Sequence, residues 1–199
     1  MRYPHTGQRR QAGRVRRRGL PVKRPSKAGG FTLIELMIVL AIAGLALALA
    51  LPGFQGMIDR RQLNAAAVDM LHAIHLTRSE ALRRNRTVQL APLDDADWAG
   101  GWRIYASAGG NGPYRAGDRL ILQRAALPAG IQVESHTASP SDIQIAYNGE
   151  GRSVRRSRMR LSGSWHLRLK QETRIIAINF QGRARICDPA RDRGKCESR

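Results

Sequence analysis

The feature that most constrains this chain is an uninterrupted apolar run, Phe31 to Leu51, reading FTLIELMIVLAIAGLALALAL. At about 1.5 Å per residue, its twenty-one residues make a helix of roughly 31 Å, enough to cross the hydrocarbon core of a bilayer. Before it lie thirty residues with ten basic side chains, no acid and few large apolar groups. Such a segment cannot build a core, and its like charges oppose collapse. The doubled arginines could suggest a twin-arginine export signal, but no apolar region follows them at short range. A basic flank stays on the cytoplasmic side of a span, so the C-terminal part is expected outside the inner membrane. An ordinary secretory signal has a shorter apolar region with small residues after it. Here Ala28-Gly29-Gly30 precede the run.

Within the run one residue is ionisable, Glu35. A carboxylate in lipid costs on the order of 2.5–3.5 kcal/mol on insertion scales, so such a group usually has a partner. No basic residue follows Lys27 closely on the same helix. A new α-amine made by cleavage before Phe31, on a neighbouring copy, would serve.

Gly30-Phe31-Thr32-Leu33-Ile34-Glu35 resembles the class III signal of type IV pilins and pseudopilins. The resemblance implies that a prepilin peptidase cuts between Gly30 and Phe31 and N-methylates Phe31, and that Glu35 guides assembly. The leader is longer than many in that family. Pro52 and Gly53 then interrupt the apolar run. Proline removes a helical hydrogen bond and crowds the preceding turn, so a kink or local melting is expected there. The position is similar to that of a proline in many pilins.

Helical spacing resumes with Leu63, Ala67, Met70, Ile74, Thr77 and Ala81, flanked by Leu71 and Leu82. This is an amphipathic stripe, and the helix should stop near Asn85. His72 and His75 lack an evident third metal ligand and read as surface or packing residues. The segments Thr77–Val88 and Gly100–Tyr105 resemble the first-helix end and the tryptophan strand of the GspH/FimT branch of minor pseudopilins.

After Arg86, apolar residues alternate in short runs: Val88/Leu90, Trp102/Ile104, Leu120/Leu122, Ile131/Val133, Ile143/Ile145/Tyr147, Trp165/Leu167/Leu169 and Ile176/Ile178/Phe180. Period two with glycine, asparagine and proline between runs predicts antiparallel strands packed on the helix stripe. The expected fold class is α+β and pilin-like. Its parts are a leader (1–30), a transmembrane helix (31–51), a periplasmic amphipathic half-helix (52–85), a β-rich domain (86–186) and a basic tail (187–199). Ala108–Pro113 is expected to be a loop, and Asp94, Asp95 and Asp97 a polar turn. No HExxH motif, phosphate-cradling glycine loop or nucleophile elbow occurs, so neither catalysis nor a cofactor or metal is expected.

The chain carries 34 basic against 15 acidic side chains. Without the leader, 24 basic against 15 acidic remain, a net +9 that makes an anionic partner worth considering. Two arginine-rich places stand out. A loop Ser162-Gly163-Ser164 is expected to join two strands into a hairpin. Arg160 would then face His166, Arg158 would face Arg168 and Arg156 would face Lys170, a like-charged face that an anion would relieve. The second place is Gly182-Arg183-Ala184-Arg185, followed by Arg191, Arg193 and Lys195. Cys187 and Cys196 would close a small loop there in an oxidising periplasm, contributing roughly 2–3 kcal/mol in the chain-entropy model. Two thiols with no nearby histidine make zinc a poor alternative. The GRxR pattern is similar to the DNA-binding tail of FimT-type minor pilins that serve DNA uptake.

The resemblance as a whole implies a low-copy subunit of a type IV pilus or type II secretion pseudopilus. Its partners would be other pilins, the prepilin peptidase, the inner-membrane assembly platform and DNA. The competing expectation is an H-type minor pseudopilin with a purely structural role.

Overall fold

The computed structural model describes residues 30–94, 96–107, 109–110, 112–139, 143–155, 159–192 and 196, without the side chains of 49–53. Arg156, Arg158, Arg193, Lys195, Asp95 and the leader before Gly30 therefore lie outside the described residues. The chain divides into two compact units, residues 1–45 and 46–199.

One helix, α1, runs Leu33–Arg84. Thr32 caps it: its Oγ1 accepts the Glu35 N–H at 3.2 Å, one half of a Thr-x-x-Glu capping box. Glu35 thereby sits in the first turn, where the helix dipole favours a negative charge. Of the kink or local melting expected at Pro52 and Gly53, melting does not occur: both residues keep helical backbone. Among the described residues no helix is long and apolar enough to cross a membrane. The expected span, 31–51, extends past Ala48, where the described side chains stop. At the other end, Asn85 takes a left-handed φ of 47°, its N–H donates to the Leu82 carbonyl and that of Arg86 to the Ala81 carbonyl, the paired bonds of a Schellman stop.

In the second unit the sheet strands are antiparallel and fall into two sheets. The strands are β1 Val88–Asp94, β2 Asp97–Ala106, β3 Arg119–Arg124, β4 Gln132–Thr137, β5 Ile145–Tyr147, β6 Ser153–Val154, β7 Gly163–Leu169, β8 Glu172–Ile178 and β9 Ala184–Cys187. The five-stranded sheet is ordered β3-β2-β1-β5-β6 and the four-stranded one β4-β7-β8-β9. Pro92, which has no N–H to give, lies in the half of β1 that pairs only with β2, beside a register shift.

The predicted stripe is the buried face of α1: Leu63, Ala67, Met70, Ile74, Thr77 and Ala81 are all buried, and Leu82 stays exposed. Together with Val88, Leu90, Trp102 and Ile104 of one sheet and Trp165, Leu167 and Ile176 of the other, the apolar members form one core. Trp98 and Trp165 meet edge to face at 6.2 Å across it. Polar contacts fasten α1 at intervals. Asp59 pairs with Lys170 at 2.8 Å, Arg60 with Glu172 at 2.6 Å, and Asp69 with Arg124. Exposed pairs of this kind contribute at most about 1 kcal/mol each, so they set register more than stability.

The predicted arginine hairpin is not formed. Gly163 opens β7 and belongs to no loop. β7 pairs with β4 and β8, placing His166 opposite Glu134 and Ile175, and Arg168 opposite Gln132 and Thr173. Arg160 instead bridges to Val154. The reason is apolar area. Trp165, Leu167 and Leu169 need a partner that continues their buried face, which Ile176 and Ile178 of β8 provide. Met159, 63 % exposed, does not.

Candidate functional site

Two regions carry the predicted site residues. In the first, Phe31 is 83 % exposed, and Leu33, Ile34, Leu36, Met37, Ile38, Val39, Leu40, Ile42, Leu45 and Leu47 are all exposed as well. Exposed apolar side chains in such a run mark a surface that lipid or other protein covers. Among the described residues Glu35 has no cationic partner, in keeping with an acid whose counter-charge comes from outside the chain.

The second region is the C-terminal edge. β9 is an edge strand of its sheet and runs into the Cys187–Cys196 disulfide, whose Cα atoms are 5.5 Å apart. Arg183, in the turn before β9, and Arg185, on β9, are both exposed. Gly182 has a role of its own. With φ 78° it closes the Asn179–Arg183 turn, and its carbonyl accepts from Arg78 Nη1 at 3.1 Å and Tyr147 Oη at 2.9 Å. Tyr147, whose hydroxyl burial pushes well above the ordinary phenol range, therefore donates. The glycine of GRxR is required by packing.

The other predicted arginines fare differently. Arg168 pairs with Glu134 at 3.3 Å and Lys170 with Asp59, so neither joins a bare cationic face. Arg160 is exposed but far along the chain from the β9 turn. Arg191 approaches Asp188 at 3.8 Å. Asp188 organises the disulfide loop: its Oδ1 accepts the Ala190 N–H and its carbonyl accepts those of Arg191 and Asp192. It also pairs with Arg174 at 3.3 Å. Arg174, a buried cation, further donates to Asn64 Oδ1 at 2.6 Å, tying loop, β8 and α1 together. Sequence reasoning missed this cluster, because its members stand 110 residues apart.

The described residues contain no group of three or more metal-ligating side chains. His72 and His75 are exposed on α1. A different pair, His136 and His166, stacks at 4.2 Å across β4 and β7. Burial, then the charges of His136 and Arg168, push His166 below the usual imidazole range. The signal for this pair was absent from the sequence, because it depends on strand register.

Comparison with known proteins follows the same division. The family described as Type II transport protein GspH matches residues 66–182, more than half of the chain. The chain belongs to the GspH family. Residues 25–51 match the prokaryotic N-terminal methylation motif, so this GspH-family chain carries the processing signal of pilins and pseudopilins. The pilin-like protein PilA1 of Thermus thermophilus is 27 % identical over 159 residues, 79 % of this chain and 97 % of PilA1. The fimbrial protein EcpC of Eikenella corrodens is 57 % identical over 37 residues, 19 % of this chain and 24 % of its own. Among solved structures, the type IV minor pilin FimU of Pseudomonas aeruginosa aligns with a TM-score of 0.50 at 18 % identity, covering 69 % of this chain and 96 % of FimU. The minor pseudopilin EpsH of Vibrio cholerae aligns with a TM-score of 0.47 at 13 % identity, covering 64 % and 98 %. The GspH match and the methylation motif place the chain among pilin-like proteins, and the FimU alignment agrees with the α+β pilin fold.

Proposed function

We propose that this chain is a non-catalytic filament subunit of the inner membrane. It is cut between Gly30 and Phe31 by a prepilin peptidase and N-methylated on Phe31. Residues 31–51 hold it in the bilayer with the C-terminal domain in the periplasm. Other pilins and the inner-membrane assembly platform then draw it into the filament through Glu35. The observation that carries this reading is the exposed apolar surface from Phe31 to Leu47, interrupted in the first helical turn by Glu35, an acid with no cationic partner among the described residues. Replacing Glu35→Ala tests it. The variant should be made and processed, yet be absent from the sheared filament fraction of cells; equal incorporation would contradict the proposal.

A second reading concerns DNA. Arg185 stands exposed on the edge strand β9 and Arg183 on the turn that enters it, and arginine suits phosphate through its planar pair of donors. On this reading the β9 edge and Arg191 hold DNA without regard to sequence, as in a FimT-like subunit for DNA uptake. Arg193 and Lys195 would extend the same tail. The alternative is an H-type subunit with a structural role alone. In a mobility-shift assay, binding at low salt that weakens steeply with added salt supports the DNA reading. Loss of that binding in Arg183→Glu/Arg185→Glu assigns it to this edge, whereas no shift at low salt favours the structural role.

A further inference from the structure

Away from both regions, the outer side of the five-stranded sheet carries a cleft of about 270 Å³. Arg103 and Tyr105 of β2 line it, with Pro113 and Tyr114 of the following loop, Ile143 before β5, and Asp94 at the end of β1. Two features set it apart from an ordinary surface hollow. The Arg103 side chain is only partly satisfied: Nη2 donates to the Leu93 carbonyl at 2.6 Å, while Nε is buried with no acceptor among the described residues. Leaving a donor of a charged group buried and unsatisfied is costly, and an acceptor brought to it recovers that cost. Secondly, the guanidinium lies 4.9 Å from the Tyr114 ring, which in turn meets Tyr105 edge to face at 5.2 Å. Cation and aromatic surface are thus presented together.

We propose that this cleft binds a carboxylate carried on an apolar or aromatic group. The guanidinium would receive the carboxylate, and Pro92, Pro113, Ile143 and the two tyrosines the apolar part. Tyr114, 37 % exposed, presents its ring at the edge of the cleft. A single guanidinium balances one negative charge, which suits a carboxylate better than a doubly charged phosphate. The source of the acid is either the chain end or an acidic residue of a neighbouring polypeptide, or a free aromatic acid.

Calorimetric titration of the full chain in detergent separates these cases. The probes are phenylacetate and its amide, the acetylated dipeptide alanyl-phenylalanine and its amide, and inorganic phosphate. Each acid should bind with a Kd below about 1 mM and at least about tenfold more tightly than its amide. Arg103→Lys, which keeps the charge and loses the planar fork, should weaken the acids, and Tyr114→Ala should do the same from a loop where folding is not at stake. Tighter binding of the dipeptide assigns the site to a polypeptide, and tighter binding of phenylacetate to a free acid. Equal binding of acid and amide, no binding of either, or displacement by phosphate overturns the proposal.

Discussion

Gly182→Ala is the substitution whose effect the structure fixes most closely. At φ 78° any L-residue enters the left-handed region, at a cost of roughly 1–2 kcal/mol. An added Cβ would also stand 2.6 Å from Tyr147 Cε1, 2.8 Å from the Gly151 carbonyl oxygen and 3.0 Å from the Ser153 backbone nitrogen. Two of those three neighbours are backbone, which yields little, and overpacking of that kind costs about 1–3 kcal/mol. Displacing the turn would further disturb the Arg78 and Tyr147 hydrogen bonds to the Gly182 carbonyl. The sum, about 2–5 kcal/mol, corresponds to a fall in Tm of roughly 5–20 °C for a chain of this size. Thermal unfolding of the purified chain followed by circular dichroism reads it, with Arg183→Ala as the exposed control, expected within about 0.5 kcal/mol of wild type. A Gly182→Ala protein melting within about 2 °C of wild type would refute the packing role assigned to this glycine.

Arg174→Met should destabilise the domain by about 3 kcal/mol, measured by urea unfolding, because it leaves Asp188 and Glu172 beside an apolar side chain. Glu80, held down at about 2 by hydrogen bonds from Arg83 and then Arg84, binds fewer protons folded than unfolded. Its contribution is therefore present above about pH 4.3 and lost as pH falls through about 2. Glu80→Gln should be less stable than wild type near pH 7, with the gap closing by about pH 2. His166 has the opposite chemistry and the same sign: the unfolded chain takes up a proton that burial and neighbouring charge disfavour in the fold. Stability should fall as pH drops through about 6.5, and His166→Gln should flatten that slope in unfolding curves.

What the sequence made legible was whatever depends on near neighbours. The spacing of Leu63, Ala67, Met70, Ile74, Thr77 and Ala81 gave the buried side of α1, since helical period alone decides which residues share a face. Asn85 marked the helix end because asparagine tolerates a left-handed φ. Alternation located β1 to β5, β7 and β8 but missed β6 and β9, the latter in a segment expected to follow the last strand, and it misjudged β3, where Leu120 and Leu122 remain exposed on an edge. The strand partners were less visible. The arginine hairpin looked plausible from residues 156–170, but β7 takes its neighbours from 132–137 and 172–178. That choice depends on buried area contributed by distant segments. Arg174 with Asn64 and Asp188, and the two stacked histidines, arise only once those segments are in register. Of the candidate site, Phe31, Glu35, Arg183 and Arg185 are exposed as a recognition role requires, while Arg168 and Lys170 are taken up in ion pairs.

The most direct measurement on the central claim is the N-terminal sequence and mass of the mature protein taken from cell envelopes. A chain starting at N-methylated Phe31 is the predicted result. A mature chain that retains residues upstream of Phe31, or that begins within the apolar run, would contradict the account.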